Sequence, residues 1–140
     1  MQQVAFAMRL ACLSEVSMAF TLHLYASLLA LGLGAIVLVL TKGTVAHRIM
    51  GSIWVLAMAL SALSSLWFGG GVLPLIGHFG PIHLLSLWVL VALTVAVVAI
   101  LKGRVEQHRS WMTGAYLGLV GAFIGTLAPG RWLAVQLGMW

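Results

Sequence analysis

Acidic side chains are nearly absent from this chain: there is no Asp, and the two Glu residues, Glu15 and Glu106, lie far apart in the sequence. That scarcity removes the paired carboxylates that glycoside hydrolysis and most acid-base pairs depend on. It also removes the mid-membrane carboxylate expected of a proton-coupled transporter. One cysteine, Cys12, cannot close an internal disulfide, and it reads as an inert buried or interfacial thiol. No nucleotide-binding loop, nucleophile elbow or other soluble-enzyme signature is present. Only 6% of the residues are charged against 63% hydrophobic, far outside the range of a soluble domain.

Long uncharged runs are present instead. A helix needs about 20 apolar residues to cross roughly 30 Å of hydrocarbon at about 1.5 Å per residue. Four runs, at 19–41, 50–68, 84–101 and 112–127, carry no Asp, Glu, Lys or Arg. Helices satisfy every backbone polar group within the segment, so the expected fold is an all-α integral membrane protein, a bundle of four transmembrane helices.

In a soluble protein a formal charge of +5 would suggest nucleic acid, but here the basic residues sit in short loops and report orientation. Lys42, Arg48, Lys102, Arg104 and Arg109 fall in the first and third loops, against Arg9 and Arg131 on the other side. Five against two predicts that loops 42–49 and 102–111 are cytoplasmic and both termini periplasmic, in a bacterial inner membrane. No nucleic-acid partner is expected. No secretory signal is evident, since the first apolar run is as long as a true span and lacks a small-residue cleavage pattern. Residues 1–17 read either as an interfacial helix or as an extension upstream of a start at Met18, before a membrane domain over 18–140.

The chain also repeats itself. Lys42-Gly43-Thr44-Val45-Ala46-His47-Arg48 is echoed by Lys102-Gly103-Arg104-Val105-Glu106-Gln107-His108-Arg109. His23-Leu24 and His83-Leu84 open the runs before the two copies, with His23 24 residues before His47 and His83 25 before His108. Internal repeats fix architecture, and this one predicts two duplicated helical hairpins. The connection over 69–81 is different, with five of the 16 glycines and two of the three prolines, and it reads as an external crossing on the membrane surface. In the fourth run Gly114, Gly118, Gly121, Ala122 and Gly125 form a small-residue ridge. Its first reading is close packing within the bundle, its second an oligomer contact and its third a groove for a flat ligand. Ser61, Ser64 and Ser65 are placed to bond back to their own helix or across to a neighbour.

On this topology His23, His78, His83 and Arg131 gather at the external side, and His47 and His108 at the cytoplasmic side. Imidazole ligates iron, copper and zinc, and two imidazoles from facing helices form the axial pair of a b-type haem. The duplication offers one such pair at each face, His23 with His83 and His47 with His108. Arg131 suits a haem propionate, a quinone or another anionic head group. The plainer alternative is interfacial: histidine and tryptophan at helix ends are ordinary belt residues, and His47 and His108 are placed to cap helices or touch lipid phosphate. His78, without a counterpart in the first half, reads as a loop imidazole. Zinc fits less well, because a closed site wants about four ligands and neither pair has a Cys, Asp or Glu close by.

Taken together, KGTVAHRIMGSIWV, SSLWF, GPIHLLSLWVL, HRSWM and APGR resemble an uncharacterised bacterial family of small four-helix predicted membrane proteins. The likeness covers about residues 20 to 132. It rests on His47, Arg48 and Gly51, then Pro81, His83 and Ser86, then His108, Arg109 and Met112, and lastly Pro129, Gly130 and Arg131. Gly80 stands where the family usually has Ser, which removes a helix cap but no ligand. The resemblance implies a four-helix membrane protein and brings no activity with it.

The leading functional expectation is therefore a protein that binds haem b or a redox metal through His23 and His83, with Arg131 beside them and His47 with His108 as a second pair, and passes electrons to a quinone or protein partner. One alternative is a cofactor-free accessory or assembly subunit, contacting a larger membrane complex or forming a homo-oligomer. Another is a binder of lipid or a small hydrophobe, with the 69–81 crossing and Arg131 as its mouth.

Overall fold

A computed structural model describes the backbone of residues 2–67, 81–127 and 138, and the side chains of 18–67, 83–127 and 138. The described residues form four helices and no strand: α1 (Gln2–Val39), α2 (Val45–Ser65), α3 (Pro81–Leu101) and α4 (Val105–Thr126). Three of them contain segments long and apolar enough to cross a membrane, at Met18–Val39, Val45–Ser65 and His83–Leu101. By contacts the chain divides into two units, Met1–Val91 and Ala92–Trp140, and each is described by itself.

Within the first unit, α1 and α2 form a hairpin whose loop explains Lys-Gly-Thr residue by residue. Lys42 folds its ammonium back onto the carbonyls of Val37, Leu38 and Leu40, at 3.1, 2.5 and 3.0 Å, neutralising the negative end of α1. Gly43 turns the chain at φ +81°, a left-handed conformation that costs a side-chain-bearing residue about 1–2 kcal/mol. Thr44 then caps α2: its hydroxyl oxygen accepts from the His47 N–H at 3.2 Å while its own proton goes to the Thr41 carbonyl at 2.8 Å.

The hairpin is sealed by small residues together with Trp54 and Met58. Ala26, Ala30 and Gly34 are buried on α1 at successive turns, and Trp54, Ala57, Met58 and Ser61 on α2. Small side chains bring the backbones close enough for the Trp54 indole N–H to donate to the Ala30 carbonyl at 2.9 Å. Leucines point the other way: Leu29 of α1 is 52% exposed, Leu56 of α2 63% and Leu87 of α3 59%. Alanine and serine inside with leucine outside inverts the soluble pattern and suits lipid as the surrounding solvent.

In the second unit α3 ends at Leu101 in a Schellman turn. Arg104 N–H reaches the Ala99 carbonyl at 2.8 Å, Gly103 N–H reaches Ile100 at 3.0 Å, and Gly103 takes φ +70°. The two Lys-Gly loops thus share a left-handed glycine and differ at the cap, because Arg104 makes no side-chain bond to the start of α4. Ala92, Leu93, Ala96 and Ala99 are buried on α3 and Ala115 on α4.

The glycine ridge of α4 lies on the open face of the second unit. Gly114, Gly121 and Gly125 are exposed, and a Cβ added at any of them, or at Gly118, would meet nothing within 4 Å. Within the second unit nothing therefore packs against it. α4 turns its other face inward, the one carrying Ala115 and the half-buried His108.

Candidate functional site

The polar interior of the first unit is built on the last turns of α2, where Ser61, Ser64 and Ser65 are all buried. Spacings of three and four set them on neighbouring positions of one helical face. Their protons are assigned by what each oxygen faces. Ser27 donates to the carbonyl of His23 at 2.6 Å, one turn back on α1, so the 2.7 Å contact between Ser27 and Ser61 is a bond donated by Ser61. Ser65 likewise donates to the Ala62 carbonyl at 2.7 Å, so its 2.5 Å contact with Ser86 is donated from α3. Two serine pairs tie α2 to its neighbours, as donor to α1 and as acceptor from the start of α3.

His23 belongs to this network. Its Nδ1 lies 2.8 Å from the Ser61 carbonyl, which can only accept, so Nδ1 carries the proton. The Ser61 hydroxyl lies at 3.4 Å from the same nitrogen, and Ser64 donates to the same carbonyl at 3.0 Å. In the neutral ring the lone pair is then on Nε2. A metal-ligating histidine is commonly held this way, with one nitrogen donating to a carbonyl and the other turned to the metal.

His83 is 5% exposed and lies one turn before Ser86, itself buried and bonded to Ser65. His23 thus bonds to Ser61 and Ser86 to Ser65, so the α1 face that carries His23 and the start of α3 both meet the C-terminal turns of α2. His47 is at the other end of that helix, in its first turn. Ser61 lies 14 positions after His47, about 21 Å along the helix at 1.5 Å per residue. In the second unit His108 repeats the His23 motif, its Nδ1 2.9 Å from the Ala96 carbonyl of α3. Arg131 and His78 lie outside the described residues, as do the crossing before Pro81 and the Pro129-Gly130 stop.

No three His, Cys, Asp or Glu side chains cluster among the described residues. The donors available around α2 are imidazoles, hydroxyls and backbone carbonyls. Ser27 was not singled out from the sequence, although its four-residue spacing from His23, with Ala26 and Ala30 alongside, marks the same face of α1.

A family model described as "Predicted membrane protein (DUF2306)" matches residues 20–137. The chain belongs to this family. The match contains His23, Ser27, the α2 serines, His83 and Ser86, so the whole polar interior lies inside the family's region. A membrane family agrees with the three apolar spans and with the lipid-like exterior. No curated protein and no solved structure matches the chain.

Proposed function

We propose that the protein is an electron-transfer module of a bacterial inner membrane, holding b-type haem or a redox metal through His23 and His83 and passing electrons to a quinone or protein partner. The observation that carries this reading is the bond from the His23 Nδ1–H to the Ser61 carbonyl at 2.8 Å. It fixes the tautomer that ligation requires and holds the ring against rotation. His83, buried on the helix whose Ser86 bonds to Ser65 of α2, is the proposed second imidazole, and axial imidazoles hold haem iron in an electron-transferring state. Arg131 is proposed to neutralise a propionate or quinone oxygen. His108, bonded to Ala96 in the same manner, and His47 are proposed for a second cofactor on the cytoplasmic side. The Lys-Gly loops with their left-handed glycines support a duplicated hairpin as the frame of both.

The test is an optical spectrum and elemental analysis of the full chain purified from its own membranes in mild detergent. A Soret band, or stoichiometric iron or copper, is expected, and His83→Ala should abolish it while the helical circular dichroism persists. Neither band nor metal would sink the reading. It would leave the second one, favoured by the two histidine-to-carbonyl bonds themselves: a cofactor-free accessory subunit in which His23 and His108 fasten helix to helix.

A further inference from the structure

The carbonyl that holds His23 is shared. It accepts from the His23 Nδ1–H at 2.8 Å and from the Ser64 hydroxyl at 3.0 Å, with Ser61 and Ser64 both buried and all three residues inside the first unit. A serine hydroxyl turned back to a carbonyl of its own helix is ordinary, and Ser65 does the same to Ala62 at 2.7 Å. At Ser64 the same oxygen also carries an imidazole from another helix. Two donors on one oxygen compete for its electron density, so each bond is weaker than it would be alone. Placing the ring does not require Ser64. The Ser61 hydroxyl donates to Ser27 at 2.7 Å and Ser27 donates to the His23 carbonyl at 2.6 Å. Ring and main chain of His23 are thus both tied to Ser61 by bonds that leave Ser64 out.

We propose that Ser64 is a positioning residue that acts on His23 through the shared Ser61 carbonyl, tempering the Nδ1–H bond and with it the electron donation of Nε2 to haem iron or a redox metal. The inference rests on the reading of His23 as a ligand. Donation from Nδ1–H to an acceptor gives the ring partial imidazolate character, which makes the far nitrogen a stronger ligand and favours the oxidised metal. A second donor on that acceptor works in the opposite direction. Ser64 therefore holds the midpoint potential above the value that the bond from His23 to Ser61 would set by itself. Because the ring keeps its other ties when Ser64 is changed, this electronic effect is separable from the placement of the imidazole.

The test uses the full chain in mild detergent with isotope-labelled histidine, and reads two quantities. One is the NMR shift of the His23 Nδ1 proton in the reduced protein, assigned as the signal missing from His23→Gln. The other is the midpoint potential of the bound cofactor. Ser64→Ala is expected to move the proton downfield and to lower the potential by about threefold in the ratio of oxidised to reduced affinity, or ~28 mV for one electron at about 59 mV per decade. Ser64→Cys, close in size but a weaker donor, should fall between. Ser52→Ala removes an exposed hydroxyl bonded to the Arg48 carbonyl at 2.9 Å on the same helix, and should change neither quantity. Alanine suits a helix interior, and helical circular dichroism of each variant confirms that it has folded. An unmoved proton in Ser64→Ala overturns the proposal, and so does a moved proton beside an unmoved potential. A chain that holds no cofactor overturns the ligand reading together with this one, whereas a bound cofactor beside an unresponsive proton overturns this one alone.

Discussion

His23 has two separable attributes, a proton donated to a neighbouring helix and a lone pair on the far nitrogen. Substitution pulls them apart. Glutamine at 23 can still donate an amide proton to the Ser61 carbonyl, but it is a poor ligand for haem iron or a redox metal. His23→Gln is therefore expected to keep most of the thermal stability of the chain, while His23→Ala loses about 0.6 kcal/mol, the usual size of an interhelical hydrogen bond in a membrane. Both should lose the cofactor signal. Thermal melts followed by circular dichroism, beside the optical spectrum, check the pair. A His23→Gln chain that keeps the full spectrum would show that this ring is not a ligand. The candidacy of His23 was legible from its place in an apolar run, because an ionisable group there needs a reason. Its partner was not, since Ser61 is 38 residues away and only the packing of α1 on α2 decides which carbonyl the ring meets.

At the scale of the element, the uncharged runs read from hydropathy overlap the four helices, and two of those helices begin earlier than their runs. The runs at 50–68 and 112–127 correspond to helices that start at Val45 and Val105, because the first turns carry His47-Arg48 and Glu106 to Arg109. Charge interrupts an apolar run without interrupting a helix: Arg48 N–H bonds to the Thr44 carbonyl at 3.1 Å and His108 N–H to Arg104 at 3.0 Å. The repeat located both loops, and the difference between them emerged only with the caps. Thr44 bonds to the start of α2, whereas Arg104 leaves α4 without a side-chain cap. Thr44→Ala should then cost about 1 kcal/mol and Thr44→Ser much less. Arg104→Thr, which installs the missing cap, should raise stability by about 0.5–1 kcal/mol. Unfolding midpoints in one detergent measure all three, and an unchanged midpoint for Thr44→Ala would remove the cap from the account of the loop. The glycine ridge shows the same limit: its period was plain in the sequence, but the surface it meets depends on how α4 is rotated.

Over the whole molecule the open question is whether α4 crosses. Its uncharged part, 112–127, spans about 24 Å at 1.5 Å per residue, short of the roughly 30 Å of hydrocarbon. A short helix crosses when flanking residues snorkel and the bilayer thins, and Arg109 is placed to do the first. The basic residues of both Lys-Gly loops favour the cytoplasmic side, which α4 must leave if it crosses. On the Cys12→Ser background, Ala46→Cys and Gln107→Cys, both exposed, should resist a membrane-impermeant maleimide in intact cells and react once the inner membrane is opened. Alkaline phosphatase fused after Trp140 should be active, because it folds only when exported. An inactive fusion with both loops still protected would leave α4 on the cytoplasmic face, the protein with three spans and its C-terminus inside. In that outcome the uncharged stretch 112–127 would lie along the cytoplasmic surface of the membrane, with its glycines at headgroup depth.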